Sequence, residues 1–104
     1  MNYAAELTRI LTGLGDTSDA VAATLKATSI KGVRNTVRFL NPIVRYCQAH
    51  LRLDNYALDV IEPNTLRIVL PSDAKVRVPL PPPVSRFLHA FHRGDFPDLE
   101  LPRP

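Results

Sequence analysis

At Tyr56 the spacing of the apolar residues changes from three-and-four to two. From there Tyr56, Leu58 and Val60 alternate with Ala57 and Asp59, then Leu66, Ile68 and Leu70 with Arg67, then Val76, Val78 and Leu80 with Lys75 and Arg77. Successive side chains of a strand point to opposite faces, so three such runs describe three strands that each bury one face. The segments between them, Glu62-Pro-Asn-Thr65 and Pro71-Ser-Asp-Ala74, are made of turn formers. The pattern predicts a three-stranded antiparallel meander.

A sheet with one apolar face needs cover, and the residues before Tyr56 supply it as helices. From Asn2 to Thr12 apolar residues fall at Ala4, Leu7, Ile10 and Leu11, and Gly13 and Gly15 follow as a stop. Thr17 or Ser18 can cap a second helix with a side-chain oxygen, with Asp19 in the favourable first turn and Val21, Ala22 and Leu25 inward. That helix is expected to end between Ser29 and Gly32. The stretch from Val33 to Leu40 fits strand alternation and a helical turn equally, and is read as loop or short helix. Asn41-Pro42 then combines a good N-cap with a proline at the first helical position, where no hydrogen bond is lost. The third helix is predicted from Pro42 to about Leu53, with Ile43, Val44, Cys47 and Leu51 inward, Arg45 and Arg52 on the opposite side, and His50 at the border.

The proline-rich stretch after the third strand admits two readings, a docking ligand or a structural joint. Pro79 and Pro82 form a PxxP pair, but the positions where a polyproline groove would require a basic residue hold Val76 and Val84. Val84, Phe87, Leu88 and Phe91 form a full i, i+3, i+4, i+7 stripe that must be buried. The prolines are therefore read as a joint, leading from a third strand that ends at Leu80 into a fourth helix that starts near Pro83 and stops at Gly94. Residues 95–104 are expected to run as an extended tail that lays Phe96, Leu99 and Leu101 across the core.

These elements make one small α+β domain over residues 1–104, with three N-terminal helices, the meander and a C-terminal helix. A chain of 104 residues that is 45% hydrophobic and 22% charged has room for one core and is too apolar for intrinsic disorder. No apolar run reaches the roughly 18 residues of a membrane span, and Glu6 interrupts the N-terminus where a signal peptide needs an apolar core, so the protein is expected in the cytoplasm.

Catalytic motifs are not found. The single Cys47 offers no disulfide or metal framework and is expected to pack as a small hydrophobe. His89 and His92 lie three apart with no third ligand at suitable spacing, and Ser85 one turn from His89 has neither a nucleophile elbow nor a glycine-rich oxyanion loop. Gly13-Leu-Gly15 lacks the strand and third glycine of a dinucleotide fingerprint. The expectation is a protein that is not an enzyme and holds no metal or cofactor.

The charge distribution says more than the net charge of +3. Between Asp19 and Asp54 there is no acidic residue, while Lys26, Lys31, Arg34, Arg38, Arg45 and Arg52 all fall in that window. A partner-binding face is therefore expected from Lys31, Arg34, Arg38, Arg45, Gln48 and Arg52. Its occupant is expected to be a protein, making the chain a non-catalytic interaction or regulatory module. The alternative is DNA or RNA, because three helices followed by a β-hairpin follow the element order of a winged helix, with the third helix in the groove and the approach loop on phosphates. Against it, about ten residues separate helices two and three where a helix-turn-helix has three or four. Self-association through a sheet edge or the tail stays open.

Three stretches resemble a group of small uncharacterised bacterial proteins: AATLKATSIKGV (22–33), NPIVRY (41–46) and LPPPVSRFLHAFHRGDFPDL (80–99). That group shows a glycine-containing loop, a Cys-Pro-aliphatic-Ala-x-Tyr-Leu helix start, and a closing Leu-Pro-x-x-Val helix that ends in Gly-x-Phe-Pro. Asn41 stands at the cysteine position, and Val44 and Cys47 replace the alanine and leucine. The resemblance implies a bacterial cytosolic origin and no particular reaction.

Overall fold

A computed structural model describes residues 2–34, 40–51, 54–61 and 64–101. The elements run α1 (Tyr3–Thr12), α2 (Ser18–Ala27), α3 (Pro42–His50), β1 (Ala57–Ile61), β2 (Thr65–Val69), β3 (Lys75–Pro79), α4 (Pro82–His92) and a 3-10 turn at Pro97–Leu99. This is the expected α+β architecture.

Each of the first three helices begins where a short polar side chain can satisfy a free backbone N–H. Asn2 accepts from the Ala5 N–H at 3.0 Å, Thr17 from Ala20 at 3.0 Å, and Asn41 from Val44 at 2.9 Å. Two helices end alike. After α2, the Ile30 N–H reaches the Leu25 carbonyl and Ser29 reaches Lys26; after α4, Asp95 reaches Ala90 and Gly94 reaches Phe91. Both are Schellman closures, which place one residue at positive φ. In α4 that residue is Gly94 (φ +91°), whereas in α2 it is Ser29 (φ +58°), which carries a Cβ.

The strands pair antiparallel in the order β1-β2-β3. Leu58, Val60, Leu66, Ile68 and Val78 turn inward and are buried. The other face carries Asp59, Arg67 and Arg77 in one cross-strand row. There Arg67 grips Asp59 through two bonds of 2.7 and 3.1 Å, a pairing that raises the arginine's pKa. Asn64 (φ +52°) and Asp73 (φ +68°) take the left-handed positions at the two turns, residues whose short polar side chains tolerate that conformation.

The helices close over the inner face. α1 packs on β3 and α3, α3 on β1, and α2 on α4. Leu7, Leu11, Leu14, Val21, Leu25, Ile43, Phe87 and Phe91 meet in the centre. The proline stretch is a joint: β3 ends at Pro79, the Leu80 N–H still reaches the Asn64 carbonyl at 2.9 Å, and Pro81 (φ −57°, ψ 146°) aims the chain into α4, which starts at Pro82.

Three boundaries differ from the sequence expectation. α2 ends at Ala27, because the Schellman closure follows at once. α3 stops at His50, where Leu51 turns extended (ψ 122°) so that its side chain is buried as the chain turns toward β1. The C-terminal segment is not simply extended. It makes the 3-10 turn, with Leu99 buried and Phe96 and Leu101 half-buried, and then pairs with the α2–α3 loop. In that pairing the Gly32 N–H bonds the Leu99 carbonyl at 2.9 Å and the Leu101 N–H bonds the Gly32 carbonyl at 2.8 Å, a parallel bridge between Gly32 and Glu100. The loop itself closes through Val33 N–H to Leu40 O at 2.8 Å. The ambiguous VRNTVRFL stretch falls mostly on residues 35–39, outside those described.

Candidate functional site

α3 was expected to present its basic side to a partner. Five residues of its short length, Pro42, Ile43, Val44, Tyr46 and Cys47, are buried, because the helix is wedged between α1 and β1. This burial is wider than a single stripe and draws Arg45 in. Arg45 is half-buried, and its Nε is closed off from solvent without a hydrogen-bond partner among the described residues. The exposed surface of α3 is Gln48, Ala49 and His50. His50 stacks on Tyr46 at 4.1 Å between ring centroids, and its Nδ1 lies 2.9 Å from the Tyr46 carbonyl, so its role here is local packing. Burial pushes the Cys47 thiol up to about 12, which leaves it protonated and unreactive.

Of the other residues assigned to the basic face, Lys31 is exposed and has no ion pair among the described residues, while Arg38 and Arg52 lie outside them. Arg34 turns elsewhere. Its Nη1 stands 3.8 Å from Glu100 Oε2, an ion pair too long for a hydrogen bond, and its guanidinium fills the space beside Gly94. His92 on α4 is close by: burial first, then the charges of His89 and Arg34, lower its pKa. Arg34 therefore ties the α2–α3 loop to the end of α4 and to the C-terminal segment, and it is only a partial member of the face read from the sequence.

Between α2 and α4 lies a half-open groove of about 520 Å³. One wall is the start of α2, with Ser18 and the exposed Asp19. The other is the exposed side of α4, with Arg86 and His89, while Ala90 and Phe96 form an apolar floor. Phe96 is held by Phe87, their ring centroids 5.0 Å apart. Arg93 and Asp95 close one end, paired at 2.9 Å. Sequence reasoning missed this groove. Arg86 and Arg93 stand seven apart on α4, a helical spacing visible in the sequence, but nothing local shows that α2 lies alongside with Asp19.

Among the described residues no three His, Cys, Asp or Glu side chains come together as a metal site, and no helix is long and apolar enough to cross a membrane. Comparison of the chain with protein-family models, with curated proteins and with solved structures finds no match.

Proposed function

We propose that the protein is a non-catalytic interaction or regulatory module, and that the surface around Lys31, Arg45 and Gln48 receives an acidic region of a partner protein. The observation that carries this reading is the pattern of charge pairing. Among the described residues Arg9, Lys26, Arg34, Arg67 and Arg93 each have an acid within ion-pair reach; Lys75, Arg77 and Arg86 do not, and neither do Lys31 and Arg45. Lys31 and Arg45 lie in a window of the chain that contains no acid, so the missing counter-charge has to come from outside it. Uncompensated surface charge steers an oppositely charged partner and raises its rate of encounter.

A nucleic-acid partner would use the same charges, but the exposed part of α3 is confined to Gln48, Ala49 and His50. That leaves few side chains of α3 to reach base edges in a major groove in the manner of a recognition helix.

The reading is tested by fluorescence anisotropy with labelled poly-glutamate, duplex DNA, single-stranded DNA and RNA at two salt concentrations, for wild type and a Lys31→Glu/Gln48→Glu variant. Both substituted positions are exposed, so the core is undisturbed. Salt-sensitive binding of poly-glutamate that the variant loses supports the protein reading. Preferential binding of a nucleic acid with a steep salt slope, lost in the same variant, replaces it.

A further inference from the structure

Independently of the basic face, we propose that the α2/α4 groove binds a short peptide segment in which an acidic and a basic residue flank an apolar one, the acid on Arg86 and the base on Asp19. The volume of about 520 Å³ lies in the range of ligand sites, about 300–1,000 Å³. The charges in the groove fall into two groups. Arg93 and Asp95 neutralise each other at one end, whereas Arg86 on the α4 wall and Asp19 on the α2 wall have no ion-pair partner among the described residues, and the Ser18 hydroxyl makes no hydrogen bond there. Between the walls the floor is the buried Ala90 and the half-buried Phe96 ring.

A ligand that satisfies this surface carries opposite charges on its two sides and an apolar group in the middle. A polyanion such as a nucleic acid does not fit, because the Asp19 carboxylate on the α2 wall would repel its phosphates. A simple cation does not fit either, because Arg86 stays uncompensated. A peptide crossing from α4 to α2 meets both walls and the floor with three neighbouring side chains, and the half-open shape lets its ends continue into solvent.

The test is a two-dimensional ¹⁵N NMR titration of the full chain with the capped peptides Glu-Leu-Lys, Gln-Leu-Lys and Glu-Leu-Gln, on wild type, Arg86→Gln and Asp19→Asn. Both positions are exposed, so each variant keeps its fold, and the unliganded spectra report this directly. Amide shifts are expected to saturate at residues 18–19 and 86–96. Arg86→Gln is expected to weaken Glu-Leu-Lys by about three- to fivefold, the upper range for an exposed pair, and to leave Gln-Leu-Lys unchanged. Asp19→Asn is expected to weaken Glu-Leu-Lys and spare Glu-Leu-Gln. Four outcomes overturn the proposal: no saturable shift at millimolar peptide, shifts confined to residues 31–51, equal loss for charged and neutralised peptides, or groove shifts on diluting the protein alone, which would make a second copy the occupant. A shift map at residues 31–51 would bear on the basic face alone, so the two readings fail separately.

Discussion

The guanidinium of Arg34 occupies the space that a side chain at residue 94 would need: a Cβ built on Gly94 stands 2.7 Å from Arg34 Nη1. Gly94 also has φ +91°, a conformation that costs a residue with a Cβ about 1–2 kcal/mol. Gly94→Ala is therefore expected to destabilise the fold by about that amount, because the arginine tip can swing aside but the backbone strain stays. Gly32 is a harder case. A Cβ there would lie 2.5 Å from Pro42 N, 2.6 Å from Pro42 Cδ and 2.7 Å from Leu40 O, none of which is the end of a flexible chain. Gly32→Ala is expected to cost more, about 3 kcal/mol, the upper range for overpacking. Urea midpoints of the two variants should rank Gly94→Ala above Gly32→Ala.

The opposite change is expected to stabilise. Ser29 takes the left-handed position of the α2 closure that glycine takes in α4. Replacing it with glycine removes the Cβ strain and adds some entropy to the unfolded chain, and the first effect is the larger. Ser29→Gly should raise stability by about 0.5 kcal/mol, read as a higher thermal midpoint.

Asn41 is completely buried, and its side chain caps the Val44 N–H. Asn41→Ala removes the cap and leaves that donor in a site water does not reach, so the loss is expected at the high end for caps, about 2 kcal/mol. Asn41→Asp keeps the acceptor, and should therefore retain more helix by circular dichroism and a higher urea midpoint than the alanine variant.

His92 makes stability depend on pH. Its folded pKa is depressed from 6.5, first by burial and then by His89 and Arg34. The unfolded chain therefore binds a proton more readily than the folded one, and stability rises with pH through the window between the folded value and 6.5. The contribution is complete above that window and is lost as the pH falls through it. Wild type should lose urea midpoint between pH 7 and pH 5 more steeply than His92→Gln. Parallel slopes for the two proteins would remove His92 as the cause, since every other titratable group is common to both.

The helices and strands were readable in the sequence because their signals are local. Asn2, Thr17 and Asn41 act within three residues of themselves, and the alternation from Leu58 to Val78 records the sheet's buried face directly. Helix ends were less readable. The side chain of Leu51 is needed in the core, and this outweighs three further residues of helical pattern. The bridge between Gly32 and Glu100 joins residues far apart in the chain, and no local spacing encodes it. The same holds for the candidate sites. The acid-free window is visible around Lys31 and Arg45, yet the tie of Arg34 to Glu100 and the placing of Asp19 and Arg86 on one groove depend on how the C-terminal segment and α4 are folded back on α2.

The Gly32–Glu100 bridge turns the chain from residue 32 to residue 100 into a ring closed by hydrogen bonds, and closing a ring carries an entropic cost that grows only slowly with its length. During synthesis the loop holding Gly32 and Arg34 leaves the ribosome well before the segment that covers it. Until residues 99–101 arrive, Arg34 lacks Glu100 and Gly32 lacks both of its hydrogen bonds to that segment.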